Sequence, residues 1–231
     1  MVPVVAWTAA LLLASPIAAA QEWQPSDRAP ARVPSDLWFD AMQLPSFTGT
    51  VDRYLLNPRG ETDGLLFREG PQVVFPPDVA AAVRNMAPVG RPIVVWGIRA
   101  RNAPVITMLA FAPNAETVPG VVERFYWRGS GYVVGESAQR IAVAGTVRQP
   151  YYTPQGEVAG AVLEDGTVIL LPAGAAEPVR DLLRRGARLA AHGAGAARDS
   201  GRAITADMIG ENLDALRPVV SRAPGAAPQQ R

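Results

Sequence analysis

The sequence predicts a mainly β protein made of two tandem five-stranded barrels. Two observations lead to this prediction: the chain aligns with itself at a shift of 96 residues, and both copies show the same order of predicted strands. The 231 residues are 48 % apolar and 19 % charged, which is enough to form a core in one or two domains. This composition fits neither a disordered chain nor a multi-span membrane protein.

The internal repeat aligns residues 49–97 with residues 145–193 without a gap. Most identities are glycines and prolines, which fix backbone shape rather than chemistry. A period of 96 residues is too long for a solenoid repeat and indicates a duplicated domain. The identities include Gly49-Thr50-Val51 with Gly145-Thr146-Val147, and Pro58, Gly60, Glu61, Gly64, Pro76, Val83, Arg84, Gly90 and Gly97 with Pro154, Gly156, Glu157, Gly160, Pro172, Val179, Arg180, Gly186 and Gly193.

The first copy, residues 46–112, is predicted to contain three strands, a short helix and two further strands. Residues 57–60 form a turn, since proline suits its second position and glycine can supply a positive φ. Asp78 is predicted to cap the helix, whose apolar face begins at Val79 and repeats at i+4 and i+7. The predicted strands cover residues 47–56, 63–68, 72–75, 93–99 and 105–111.

The second copy, residues 141–212, repeats this order with a helix near residues 175–184. The order β-β-β-α-β-β is that of an OB-fold barrel. We therefore expect two tandem OB-fold-like five-stranded barrels. The predicted strands cover residues 141–152, 158–163, 168–171, 188–192 and 203–209.

Residues 1–20 are predicted to be a signal peptide. An uncharged apolar core is followed by Ser15-Pro16 and by three alanines, so cleavage is expected near Ala20-Gln21. No arginine precedes the core, and an uncleaved membrane anchor is the alternative. The prediction implies a periplasmic or secreted bacterial protein with no stable membrane span after cleavage.

The remaining segments are predicted to lie outside the barrels. Residues 21–45 form a lead with a short helix capped by Ser35. Residues 113–140 form an aromatic connector, in which residues 121–127 are expected to form one extra strand or a short helix and, with the aromatic residues 125–127, to pack between the barrels. Residues 213–231 are predicted to be a disordered tail.

The pattern Gly-x-Val…Asn-Pro-x-Gly-Glu-x-x-Gly-Leu-Leu…Gly-x-x-Val-x-Phe-Pro-Pro resembles small bacterial exported OB-fold proteins, a largely uncharacterised family. The resemblance covers residues 46–112 and, more weakly, residues 141–212, where Leu171 and Ala173 replace Phe75 and Pro77. It implies an OB fold and a periplasmic location. It implies no catalytic residue.

The composition excludes several kinds of active site. All 22 basic residues are arginine, there is no cysteine, and His192 is the single histidine. Lysine-based nucleophiles, the P-loop lysine, thiol nucleophiles, zinc fingers and two-histidine metal sites are therefore excluded. We predict that the chain is not an enzyme and has no catalytic residues, metal or cofactor.

Three further polar features are predicted to be structural. The adjacent carboxylates Glu164 and Asp165 fit a solvated hairpin better than an acid–base pair, because adjacent strand residues point to opposite faces. His192 is predicted to be a packed or rim residue. The repeated Glu61 and Glu157 follow a turn glycine and are predicted to cap loop amides.

OB barrels bind ligands on the face of strands 2–3 and with the loops that join strands 1–2 and 4–5. Tyrosine and arginine in these loops can stack on flat ligands and bind anions. The first copy has seven arginines against five acidic residues and the second seven against eight, so nucleic acid is not the expected partner. The candidate ligand-binding residues are Tyr54, Asn57, Arg59, Arg99, Arg101, Tyr151, Tyr152, Arg198 and Arg202.

The predicted function is non-catalytic binding or assembly in the cell envelope, with an unknown ligand or protein as partner. The alternative is a single-stranded nucleic-acid-binding OB-fold protein. Binding is expected to centre on the loops 57–59 and 99–102 of the first copy, which has the fuller motif and the more positive charge.

Overall fold

The computed structural model describes residues 40–123 and 138–220. The predicted signal peptide, the Ser35 cap and residues 125–127 lie outside the described residues. Both barrels belong to one compact unit.

Barrel 1 is a closed barrel of five strands with the predicted order. Antiparallel pairing joins the first strand to the second and fourth, the second to the third and the fourth to the fifth, and a parallel pair between the third and fifth closes the barrel. A 3-10 turn and helix α1 lie between the third and fourth strands. The elements are β1 Ser46–Leu56, β2 Thr62–Phe67, β3 Gln72–Val74, the turn Pro77–Val79, α1 Ala80–Met86, β4 Pro92–Arg99 and β5 Val105–Ala112.

Barrel 2 repeats this topology, which confirms the predicted tandem OB-fold-like barrels. Its closing parallel pair joins the third strand to the fifth, at Val168 opposite Ala203. A two-residue strand β6, Gly120–Val121, follows barrel 1 in the chain. The strands of barrel 2 are β7 Gln139–Tyr152, β8 Val158–Leu163, β9 Val168–Leu170, β10 Arg188–Arg198 and β11 Gly201–Gly210.

Each barrel carries a sixth, two-residue strand beyond the five predicted for it, and the first of these lies at the start of the segment 121–127 that was expected to form an extra strand or a short helix. β6 pairs with β5 at Ala110, and β12, Arg217–Pro218, pairs with β11 at Met208. Ala110 lies opposite Trp96, and Met208 lies opposite His192, so the two additions occupy equivalent positions. The second copy therefore continues past the predicted boundary at 212, and residues 213–220, predicted to be disordered, contain a 3-10 turn and the strand β12.

The helices follow the prediction only in the first copy. Helix α1 buries Val83 against the core of barrel 1, but its N-cap is Val79, and Asp78 lies in the preceding 3-10 turn without capping the helix. In barrel 2 the predicted helix near 175–184 is replaced by the 3-10 turn Glu177–Val179 and further i→i−3 turns. Pro178 lacks the N–H that a helix would use there.

The repeated turn glycines have the expected backbone. Gly60 has φ of +81° and Gly156 has φ of +91°. The amide of Gly60 donates to the carbonyl of Asn57 at 2.8 Å, and that of Gly156 donates to Thr153 at 2.9 Å. The two β-turns therefore have the same geometry, as the repeat predicts.

Candidate functional site

The two barrels contact each other through equivalent loops. A Cβ placed on Gly60 would lie 3.1 Å from the Cβ of Ala196, and one placed on Gly156 would lie 3.0 Å from the Cβ of Ala100. Positions 60 and 156 are equivalent in the repeat, as are 100 and 196. The two contacts therefore exchange with each other, which is the geometry of a two-fold symmetric dimer.

Asp52 and Arg148 lie where the two-fold axis of this internal dimer should pass. They occupy equivalent positions in the repeat, and Nη2 of Arg148 lies 3.1 Å from Oδ2 of Asp52. Nε of Arg53 also donates to this carboxylate, at 2.7 Å. In a two-fold dimer, a residue that contacts its own counterpart lies at the axis. If the two copies were identical, two like charges would meet there, whereas in this chain Asp52 and Arg148 form an ion pair.

An apolar layer fills the interface between the barrels. In β2, Leu65 and Phe67 point into the core of barrel 1, whereas Leu66 between them packs against barrel 2. In β8, Val162 does the same toward barrel 1. The interface cluster consists of Leu55, Leu56, Leu66, Tyr151, Val162, Val168, Leu170 and Ala203. The outer face of the early strands, which OB barrels use for ligands, is thus covered by the other barrel.

Gln72 adds a polar connection at this interface. Its side chain is fully buried, its Nε2 donates to the carbonyl of Tyr152 at 3.0 Å, and its Oε1 accepts from the amide of Tyr152 at 3.0 Å. The amide thereby acts like one residue of an additional strand against β7. Gln72 was not predicted from the sequence, because a glutamine in a short strand has no distinctive pattern.

The interface encloses both tyrosines proposed as ligand contacts in the second copy. Tyr151 has 1 % exposure and belongs to the interface cluster. Tyr152 is half-buried beside Val74 and Ala103, and this burial raises its pKa. The two tyrosines, which were predicted to contact a ligand from the loops of the second copy, therefore lie at the interface between the barrels instead.

Asn57 stabilises the turn between β1 and β2. Its side chain has 1 % exposure, and its Oδ1 accepts hydrogen bonds from the amides of Arg59 at 2.9 Å and Glu61 at 3.1 Å. Its Nδ2 donates to Oε2 of Glu61 at 3.0 Å. The prediction that Glu61 caps the loop amides is corrected: Asn57 is the cap, and in barrel 2 Oγ1 of Thr153 accepts from the amide of Glu157.

The loops 57–60 and 99–103 each face a loop of barrel 2. Gly60 lies against Arg198, whose Nε would be 2.8 Å from a Cβ at that position, while Ala100 and Ala103 lie against Gly156. Arg59, Arg99, Arg101 and Arg198 are exposed. Their role in ligand binding stays a prediction. The loops that carry them lie at the two contacts between the barrels and not on a free edge of barrel 1.

The hairpin between β8 and β9 contains the adjacent carboxylates as predicted. Glu164 and Asp165 are both exposed, and the carbonyl of Glu164 accepts from Nη1 of Arg53 at 2.7 Å. Burial acts to raise the pKa of Asp165, but hydrogen bonds from Thr167 and the charge of Arg202 hold it below its ordinary value. Nη2 of Arg202 lies 2.5 Å from Oδ2 of Asp165.

His192 lies within β10, between Ala142 of β7 and Met208 of β11. Its side chain is one-third exposed, and its Nδ1 lies 3.1 Å from Nη2 of Arg140 and 3.6 Å from Oδ1 of Asp207. Within residues 40–123 and 138–220 there is no group of three or more histidine, aspartate and glutamate side chains placed to hold a metal ion.

A polar cleft of about 430 Å³ opens at one edge of the interface. Barrel 1 contributes Arg53, Tyr54 and Arg84, and the hairpins of barrel 2 contribute Glu164, Asp165 and Ser200. A second depression of about 700 Å³ adjoins it and is lined by Glu61, Thr62, Asp78 and Arg84, among others. Arg84 lines both.

Tyr54 is fixed beneath Arg84 at the end of α1. Its hydroxyl donates to the carbonyl of Ala87 at 2.7 Å and approaches that of Val83 at 3.2 Å. Burial raises the pKa of Tyr54 to about 12, partly opposed by the charge of Arg84. The guanidinium carbon of Arg84 lies 5.4 Å from the centre of the tyrosine ring, a cation–π distance.

Arg84 is a cation held in place without an acidic partner. Its Nη1 donates to Oγ1 of Thr62 at 3.2 Å, and among the described residues it forms no ion pair. Its counterpart Arg180 pairs with Glu177 at 3.1 Å, and the counterpart of Tyr54 is Pro150. The stacked arginine is therefore a feature of the first copy, and in the sequence Arg84 stands out only as a repeat identity.

Comparisons with other proteins add no family to this description. No protein-family model matches the chain, and no curated protein matches its sequence. In the parts of the chain that the structure describes, no helix is long and apolar enough to cross a membrane.

Proposed function

We propose that the chain is a non-catalytic binding or assembly protein of the bacterial cell envelope, and that its ligand enters the cleft beside Arg84. The observation that carries this proposal is an exposed guanidinium that is stacked on Tyr54, anchored by Thr62 and not neutralised by a carboxylate. A charge held in one geometry without an internal partner is prepared for an external one.

The interface between the barrels supports this location of the site. Because each barrel covers the ligand face of the other, a partner has access to the loops and to the edge of the interface rather than to strands 2–3. The cleft lies at that edge and combines residues from both barrels. Ligand sites are common at such domain boundaries.

The envelope location rests on the apolar residues 1–20 and on the resemblance to exported OB-fold proteins. The nucleic-acid alternative is less well supported, because single strands usually bind along the face that the interface cluster occupies. The carboxylates of Glu164 and Asp165 at the cleft also oppose a phosphate backbone.

Photo-crosslinking in intact cells tests this proposal. Val89 lines the cleft and is 60 % exposed, so a benzoylphenylalanine placed there should capture the partner. The same substitution at Val118, which is 51 % exposed, is the matched control for a position that does not line the cleft.

We expect crosslinked adducts from position 89 that are absent from position 118. The crosslinked protein should have its N-terminus at or near Gln21. Equal adducts from both positions would contradict a site in the cleft. Adducts confined to the cytoplasm, on chains that retain residues 1–20, would contradict the envelope location.

A further inference from the structure

We infer that the cleft beside Arg84 binds the carboxylate of a short peptide that also carries a free amino group. This inference rests on the proposed function, because it names the ligand class of the same site. It follows from the geometry of Arg84, from the charges around it and from the difference between the two copies.

The first step is the geometry of the guanidinium. An arginine side chain presents five N–H donors in a planar fork that matches a carboxylate at two points. Thr62 accepts from one terminal nitrogen, and the ring of Tyr54 supports the plane from below. Since Arg84 is exposed, its remaining donors are available to a ligand.

The second step is the charge of the surroundings. Glu61 and Asp78 line the larger depression, and Glu164 and Asp165 line the smaller one. Asp52 and Arg53 also line the smaller depression and are paired with each other. A doubly charged phosphate would therefore approach five carboxylates for two arginines, which is unfavourable. A peptide brings a single carboxylate for Arg84 and an ammonium group for Glu61 and Asp78, whereas Glu164 and Asp165 are already paired with arginines of barrel 2.

The third step is size. The two adjoining depressions have volumes of about 430 and 700 Å³, which suit a small ligand rather than a folded partner. Because Arg84 lies between them, a ligand carboxylate bound there leaves space on either side for a few residues.

The fourth step is the contrast with barrel 2. Arg180 occupies the position of Arg84 but is paired with Glu177, and Pro150 replaces the stacking tyrosine. Arg180 is therefore a matched control position, because it lacks both the unpaired guanidinium and the tyrosine ring beneath it. We expect one peptide site in the chain, beside α1.

The test uses the full chain and a randomised tetrapeptide pool with free ends, followed by saturation-transfer NMR. The same pool with amidated C-termini, and again with acetylated N-termini, separates the two charges of the ligand. We expect amidation to weaken binding ten- to a hundredfold, because a charge-assisted contact is lost. We expect acetylation to weaken it less.

Two variants assign the site. Arg84→Gln should reduce binding as strongly as amidation does, whereas Arg180→Gln should leave it unchanged. Far-UV circular dichroism verifies that both variants fold. Should Arg84→Gln not fold, Val89→Glu supplies the second variant, because a carboxylate added to the cleft should repel the peptide carboxylate.

Several results would overturn the inference. These are no binding of the free pool, equal binding of the amidated pool, unchanged binding in Arg84→Gln, or displacement of the peptides by equimolar inorganic phosphate. If crosslinking at position 89 still captures a partner, the proposed function stands and the peptide inference alone fails. If both experiments fail, the cleft is not a binding site.

Discussion

Tyr54 is the residue through which β1 holds the end of α1, and its ionisation reports on that contact. Its folded pKa of about 12 lies above the ordinary value of 10.0, so folding favours the neutral phenol. The stabilisation is fully present below pH 10 and is lost as the pH rises toward about 12. The difference in phenolate absorbance between the original protein and Tyr54→Phe should therefore titrate near pH 12. If this absorbance difference titrates near pH 10 instead, the result would contradict the burial of the Tyr54 hydroxyl.

The turn glycine Gly60 combines a positive φ with contact to barrel 2. Alanine at Gly90, with φ of +86° and open space around it, adds backbone strain alone, at about 1 kcal/mol. Alanine at Gly60 also presses on Ala196, so its cost should reach about 2 kcal/mol. Guanidinium unfolding of both variants measures the difference. Equal free energies of unfolding would mean that the loop does not contact barrel 2.

Single residues were predictable where they determine their own backbone. Gly60 and Gly156 carry a turn that needs positive φ, and the sequence identified both. Asn57 and Tyr151 were predicted to face a ligand but are buried, because a turn cap and an interface residue look like surface residues until their partners are known.

Among the secondary-structure elements, β3 is joined to β7 by the two side-chain hydrogen bonds of Gln72. Gln72→Leu would leave the amide and carbonyl of Tyr152 without their partner inside the interface. Such unsatisfied groups cost about 1–3 kcal/mol each, so the variant should lose about 2 kcal/mol or more of unfolding free energy. Gln155→Leu, at an exposed turn position, should change it by less than about 0.5 kcal/mol. A loss of similar size in both variants would contradict the role of Gln72.

The strands followed from the sequence more completely than the other elements. Apolar and β-branched residues place β1 to β5 within one or two residues, but β10 continues to Arg198 through an alanine- and glycine-rich segment with no strand pattern. β6 and β12 are two residues long, which is too short for any periodicity. The prediction of a helix in the second copy was wrong, because it followed the repeat and did not take account of Pro178, which disfavours a helix at this position.

At the scale of the whole molecule, the duplication was predictable but the docking of the copies was not. The repeat identities are mostly turn residues that shape each barrel separately. The docking depends on outward residues such as Leu55 and Leu66, whose counterparts are Tyr151 and Val162. Because the residues in these pairs are apolar but not identical, an alignment of the two copies does not single them out. The cleft at the edge of the interface could not be predicted, because its position depends on how the barrels dock.

The central claim is that the barrels form a reciprocal internal dimer, and cysteine pairs test it directly. The chain has no cysteine, so Gly60→Cys with Ala196→Cys, and Ala100→Cys with Gly156→Cys, would introduce its only thiols. The paired Cβ positions, 3.1 and 3.0 Å apart, need only a small shift to reach the spacing of about 3.5–4.5 Å in disulfides. Intact-mass spectrometry with and without reductant, beside the four single-cysteine variants, should show an intramolecular disulfide in both pairs. Free thiols in both pairs, or disulfides only between chains, would contradict the reciprocal interface.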